Sequence, residues 1–376
     1  MKSFLSMLLF LLPALVRAQD WKDMKVPAPA GEGMKWELQE QFSDDFNYEG
    51  KGAEFEQNWK DVYFNKWLGP GLTEWNNGHS EVTGGNLQIK ASRKSGTDKV
   101  YCGVVTSKET VMYPVYMEAS IKVSNQVLSS NFWMLSDDDT REIDALEVYG
   151  GDRPDQTWFA ANMSTNYHIF ERDSVNNSII ANHNKQTHHH LPNNEPWRND
   201  YHTFGVYWKS ATEMTFYIDG EVKNTFSDQN MTDPSGKFFD RPLYIIIDIE
   251  DHDWRSNQGT VATDEELADD SKNVMYVDWV RVYKPVESNE VTGIETSLPE
   301  GIKLYPNPAA DTLNLSGLIP GKYTFVFFNL SGEKQLQKQL AVQGSVKLDV
   351  AVLPAGYYQL LVKGEIQEFS SKVLIR

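Results

Sequence analysis

From about Trp36 to Lys284, apolar and polar residues alternate with a period of two, and almost nowhere with the period of a helix. NLQIKAS (86–92), VYMEASIKVS (115–124), HTFGVYWKS (202–210), MTFYIDGEV (214–222), LYIIIDIE (243–250) and VMYVDWVRVYK (274–284) follow this pattern. They are rich in Val, Ile, Tyr, Phe and Trp, side chains that fit a pleated, half-buried surface. Asp219-Gly220, between two such runs, favours a tight hairpin turn. Only TDEELADDS (263–271) reads as a helical turn. An all-β chain of this length must cover its apolar strand faces with one another, so a β-sandwich or jelly roll is expected. Trp208 and Trp279, on alternating strands, are expected in its core.

Charge excludes several partners. The 376 residues carry 35 Lys and Arg against 53 Asp and Glu, a net charge of −18. Such a chain is a poor partner for nucleic acid or an anionic membrane. Its one cysteine, Cys102, excludes an intrachain disulfide and a cysteine-based zinc site. Residues 1–18 read as an export signal: Lys2, an apolar run from Phe4 to Val16, then Val16-Arg17-Ala18 before the cut. That run falls short of the roughly 20 residues a membrane span needs. A cleaved signal, no membrane span and a protein outside the cytoplasm are therefore expected.

A second boundary lies in the polar, turn-rich PVESNEVTGIETSLPEG (285–301). All 11 tryptophans precede it, between Trp21 and Trp279. The residues from 297 onward hold eight Lys and Arg against six Asp and Glu, so the acidity belongs to the part before. The division expected is 19–285 for a large domain, 286–300 for a linker and 301–376 for a small module. KLYPNP, DTLNL, GKYTFVFFNLSG, SVKLDV, LPAGYYQLLV and FSSKVLI make that module a small antiparallel β-sandwich. LYPNPAADTLNL (304–315), LPAGYYQLLV and the terminal KVLIR resemble the C-terminal sorting domain of type IX secretion substrates. The resemblance implies an address read by the type IX secretion machinery. It also implies passage through the periplasm of a Gram-negative bacterium to the medium or cell surface.

The chemistry concentrates in Arg141-Glu142-Ile143-Asp144-Ala145-Leu146-Glu147-Val148-Tyr149-Gly150. On a strand, Glu142 and Asp144 share a face, and Ile143 and Ala145 take the other. Simple alternation sends Glu147 to the wrong side. One extra residue at Ala145-Leu146, a β-bulge, returns it. Three acids on one strand face repel one another, so the arrangement brings the fold no stability. A retaining glycoside hydrolase needs such an array: an ionised nucleophile and a protonated acid/base about 5–5.5 Å apart. An aspartate between them can share a proton with the nucleophile, and its charge helps keep the acid/base protonated.

EIDALE resembles the signature of glycoside hydrolase family 16 in its bulged form, and the likeness extends over about residues 36–285. FWML, NMSTNYHIF (162–170), FGVYWKS, FYIDG, IEDHDWRS (249–256) and YVDWVRVYKP (276–285) resemble β-agarases, with porphyranases close behind. The resemblance implies a jelly roll with a concave cleft, Glu142 as nucleophile, Asp144 as assisting acid and Glu147 as acid/base. It implies no cofactor for catalysis. A structural calcium on the convex face would fall at Asp45, Gly85 and Asp278, where hard oxygen ligands suit the ion.

A polysaccharide cleft is lined by flat aromatic rings that stack on sugars. Trp133, nine residues before Glu142, and Trp67 and Trp75, flanking LGPGLTE, are candidates for this. His168 and Arg172 fit polar contacts to sugar hydroxyls, although a histidine here can equally be structural. Glu250, Asp251, His252, Trp254 and Arg255 crowd the end of an apolar strand, and Glu250, Trp254 and Arg255 are expected in the cleft. His188-His189-His190 lies among polar residues and reads as a solvated loop. Three readings stay open: a secreted endo-hydrolase of agarose, a porphyranase or other galactan or glucan hydrolase, and a non-catalytic sugar-binding jelly roll. The third leaves both glutamates without a task.

Overall fold

A computed structural model describes residues 21–31, 33–288, 298–329 and 332–376. The export signal (1–18) and most of the linker (286–300) lie outside the described residues. The chain divides into two compact units. One holds residues 36–285 with the segment ending at Pro29; the other holds 286–376 with residues 30–35.

The first unit contains two large sheets. The outer one runs in the order Glu221–Ser227, Glu213–Ile218, His202–Ser210, Val115–Lys122, Val274–Glu287, Asn86–Arg93, Val100–Cys102 and Thr73–Trp75. The inner one runs Ile179–Asn184, Met163–Arg172, Arg141–Tyr149, Ser129–Ser136, Leu243–Glu250, Val104–Ser107 and Trp59–Lys60. Alternation decides what lies between them. Phe132, Met134, Ile143, Val148, Ile245 and Ile247 of the inner sheet share one core with Met117, Ala119, Ile121, Phe204, Val206 and Trp208 of the outer. The residues between these, such as Asn131, Trp133, Glu142 and Asp144, are left on the other face of the inner sheet. That face holds the site.

Local signals agree with the sequence. Asp219 and Gly220 take φ of 50° and 76°, as a hairpin turn with both central residues left-handed requires, between Glu213–Ile218 and Glu221–Ser227. Helix Asp264–Ala268 starts with a capping box: Thr263 accepts from the Glu266 N–H and the Glu266 side chain bonds back. Trp208 is in the main core; Trp279 is buried with the Arg281 guanidinium 5.0 Å from its ring centroid. One expectation fails. Thr187–His189 is a strand, not a solvated loop, and pairs with Met163–Arg172. The polar flanks hid this because the histidines satisfy their ring nitrogens on that partner: His188 on Ser164 Oγ at 3.2 Å and His189 on Thr165 Oγ1 at 3.0 Å.

The second unit is also a β structure. A sheet of Lys303–Tyr305, Thr312–Ser316 and Ser345–Asp349 accompanies one of Lys334–Val342, Gly321–Phe328, Gly356–Gly364 and Glu368–Ile375. Leu313, Leu315, Phe325, Phe327, Leu348, Leu360 and Val373 form its own core. Among the described residues, no helix is long and apolar enough to cross a membrane.

Phe132 is fully buried and sits opposite Leu146, directly under the bulge. Phe132→Ala should cost about 3–5 kcal/mol, from lost burial plus the cavity left behind. Urea denaturation with unchanged slope measures it.

Candidate active site

The expected bulge is present. Against Ser129–Ser136, Asp144 faces Trp133 and Leu146 faces Phe132, so Ala145 has no partner. Against Met163–Arg172, Asp144 faces Asn166 and Glu147 faces Ser164, so two residues oppose Thr165 alone. Ile143, Ala145 and Leu146 all enter the core. Glu142, Asp144 and Glu147 all line one cleft of about 1040 Å³.

The first two acids share a histidine. His168 Nε2 lies 3.6 Å from Glu142 Oε1 and 3.4 Å from Asp144 Oδ2. Asp144 Oδ2 is buried, with the His168 ring nitrogen as its neighbour. Burial, followed by the Asp144 charge, raises the Glu142 carboxyl to about 8, against the pull of His168. Burial alone favours a neutral His168. The Glu142 charge, a bond to Asp144 and the Asp144 charge outweigh it and raise the ring to about 10. The result is an imidazolium facing two carboxyl groups, of which Glu142 holds its proton more tightly than a free carboxyl.

Glu147 has different neighbours. Tyr149 donates its hydroxyl to Glu147 Oε1 at 2.8 Å, His252 Nδ1 lies 3.0 Å from that hydroxyl, and His252 Nε2 lies 2.9 Å from Glu250 Oε1. Trp133 donates its indole N–H to Asp248 Oδ2 at 2.8 Å, which fixes the plane of a ring on the cleft floor. Burial and then the Glu250 charge push the Asp248 carboxyl well up.

Trp67 and Trp254, 46% and 47% exposed, line the cleft as free aromatic faces, and His168, Arg172 and Glu250 line it too. Arg172 is tied down by the carbonyls of Asp139 and Asn177. Two expected contacts are not in the cleft. Trp75 packs against the core with its ring parallel to Tyr63 (centroids 6.0 Å apart, planes 4°), so Tyr63 is the ring that reaches the cleft. Arg255 is 2% exposed, with its guanidinium 4.0 Å from both the Tyr149 and Phe159 rings and bonded to Gln156. It lies on the short helix Asp253–Ser256, where neighbours diverge by about 100°, so Trp254 and Arg255 part company.

Sequence reasoning missed Tyr63, Asn65, Asp139, Tyr149 and Asp248. Tyr149 follows Glu147 by two and Asp248 precedes Glu250 by two, so strand alternation alone could have found both. Tyr63, Asn65 and Asp139 sit on irregular loops, where no period points to them.

On the outer sheet, Asp278 is exposed next to a bulge at Val277/Trp279. Partial desolvation and then the Asp45 charge raise its carboxyl. Gly85 has φ of 75°, and a Cβ there would stand 3.2 Å from Asn47 Oδ1. Hard oxygen donors of this kind are the ones that calcium takes.

A family model described as the GH16 domain of β-porphyranases A–D matches residues 36–285, and one described as a secretion system C-terminal sorting domain matches 303–376. The chain is 52% identical over 295 residues to a β-agarase of Agarivorans albus, covering 76% of this chain and 63% of that enzyme. It therefore spans less than two thirds of that relative's length. It is 41% identical over 304 residues to β-agarase B of Zobellia galactanivorans, covering 73% of this chain and 85% of the relative. The solved β-agarase A of Zobellia galactanivorans superposes with a TM-score of 0.64 at 40% identity, over 72% of this chain and all of that one. An inactivated mutant β-agarase B in complex with agaro-octaose gives 0.65 at 39%, again over 72% and 100%. This chain belongs to glycoside hydrolase family 16, with a jelly-roll domain over residues 36–285 and a C-terminal type IX secretion sorting domain.

Proposed function

We propose that the protein is a secreted, endo-acting hydrolase that cuts the β-1,4 galactosidic bonds of agarose with retention of configuration. The observation that carries this reading is the bulge at Ala145, which puts three acids on the face that holds the cleft. In the first step Glu142 attacks the anomeric carbon while Glu147 gives a proton to the departing oxygen. In the second, Glu147 takes a proton from the water that cleaves the glycosyl-enzyme ester. The His168 imidazolium, beside both Glu142 and Asp144, supports the negative charge that Glu142 carries as nucleophile. Trp67, Trp133 and Trp254 offer apolar faces to the sugar rings, and Arg172, His168 and Glu250 offer polar groups to the hydroxyls.

Agarose rather than a sulfated galactan is favoured by the relatives, which are described as β-agarases. Calcium at Asp45, Gly85 and Asp278 would tie an outer-sheet strand to the chain before it, without a part in the chemistry.

Glu142→Gln should abolish turnover and leave polysaccharide binding within a few-fold; retained turnover would rule out Glu142 as the nucleophile. With agarose, porphyran, κ-carrageenan and laminarin side by side, new reducing ends should appear with agarose; a faster release from porphyran would displace the proposed substrate. Glu142 and His168 both hold protons more tightly folded than at their ordinary values of 4.5 and 6.5. The stability they contribute is full below those values and is lost as pH rises through about 8 and about 10. The melting temperature should therefore fall across that window, and more shallowly between pH 4.5 and 8 in Glu142→Gln.

A further inference from the structure

The proposed acid/base, Glu147, is not left to solvent. A tyrosine has one hydroxyl proton, and Tyr149 gives it to Glu147 Oε1. The His252 Nδ1 atom, 3.0 Å from the Tyr149 hydroxyl oxygen, must then be the donor of a second bond to that oxygen. On the other side of the ring, Nε2 faces Glu250 Oε1, a carboxylate oxygen that can only accept. Both ring nitrogens therefore carry protons, and every bond in the row has one direction. The far end is fixed as well. Asn131 donates to Glu250 Oε1 at 3.2 Å and to Asp248 Oδ1 at 2.7 Å, and its own carbonyl accepts from Ser129 at 2.5 Å.

This direction has a consequence at Glu147. A proton placed on Oε1 would point at a tyrosine oxygen whose acceptor side is already occupied by His252. Oε2 alone is open to carry it. We infer that Tyr149, His252 and Glu250 are positioning residues that hold Glu147 by Oε1 and so select Oε2 as the atom that delivers the proton to the glycosidic oxygen. Packing keeps the tyrosine in place independently of its hydroxyl: Arg255 lies against its ring at 4.0 Å, and Phe159 and Trp254 meet it edge-on at 5.8 and 5.9 Å. The buried Arg255 thus acts on the site through Tyr149 rather than through the sugar. Protonation of His252 agrees with its surroundings: burial opposes it, but the bond to Glu250 and the charges of Glu250, Glu147 and Asp248 raise the ring to about 9.

The inference rests on the reading of Glu147 as acid/base, and the test separates the two. kcat/KM reports the first chemical step, where a natural leaving group needs the proton and a dinitrophenolate does not. The full-length protein and its Tyr149→Phe, His252→Gln and Glu147→Gln variants are assayed on agarose and on a dinitrophenyl glycoside of an agaro-oligosaccharide. Tyr149→Phe should lower kcat/KM on agarose about 10- to 100-fold, the scale of one hydrogen bond to a charged group. On the aryl glycoside the change should stay within about three-fold. Oligosaccharide affinity, read by calorimetry on the same variant, should not change. His252→Gln should split the two substrates in the same sense, and it carries the test if Tyr149→Phe melts below the assay temperature. Equal losses on both substrates, or full activity on agarose, would overturn the inference. If Glu147→Gln splits the substrates and Tyr149→Phe does not, only the positioning role fails. If Glu147→Gln shows no split, the acid/base assignment fails and this inference with it.

Discussion

Mutual repulsion among carboxyl groups is the constraint from which the rest of this site follows. Glu142, Asp144, Glu147, Asp248 and Glu250 converge from the two strands that flank Ser129–Ser136 in one sheet, with Asp144 and Asp248 at most 6% exposed. Left alone, such a group would take up protons and stop being useful. Two imidazoles divide it. His168 faces Glu142 and Asp144, and His252 faces Glu250 and Glu147. Each carboxyl set thus has its own imidazole, although Glu142 and Glu147 are only five positions apart on the Arg141–Tyr149 strand. The cost is borne by the large core between the sheets, which none of these groups enters.

The bulge makes the division possible. Ala145 has no partner on Ser129–Ser136 between Asp144 and Leu146, and this extra residue moves Glu147 to the Asp144 face and Val148 into the core. Tyr149 is carried along, two residues further on the same face, and this brings its hydroxyl to Glu147. One inserted residue therefore places the third acid and also the group that orients it. A regular strand of this sequence would bury both.

Much of this was legible in the sequence, for a reason that also marks the boundary. A strand has a period of two, so whatever is written on regular strands can be sorted by face: the three acids, Trp133, His168 and the core position of Trp208 follow from counting. Trp75 and Arg255 were misplaced because a three-residue edge strand and a four-residue helix are too short for a period to fix a face. Tyr63 and Asp139 come from irregular loops and reach the cleft by tertiary packing that no local pattern records. His188 and His189 were read as loop because they are polar, but a strand whose side chains bond across to Ser164 and Thr165 needs no apolar residues. The fold class was therefore visible at once, the catalytic strand after one assumption about a bulge, and the walls of the cleft only in part.

The floor and the walls of the cleft also differ in how freely they can change. Trp133 is held by Asp248, Asp248 by Asn131, Asn131 reaches Glu250, and Glu250 holds His252, which holds the tyrosine on Glu147. The aromatic floor and the proton donor are thus parts of one hydrogen-bonded set. A substitution at Asp248 or Asn131 that tilted the Trp133 ring would also disturb the orientation of Glu147, so binding and chemistry cannot be altered separately there. Trp67 and Trp254 stand outside that set. They are half exposed, lie outside the inner-sheet strands, and touch the network only through ring contacts with Tyr63 and Tyr149. Changes in which sugar is accepted can therefore be made at Trp67 while the floor stays as it is, whereas a change at Trp254 also removes one of the rings that hold Tyr149 in place.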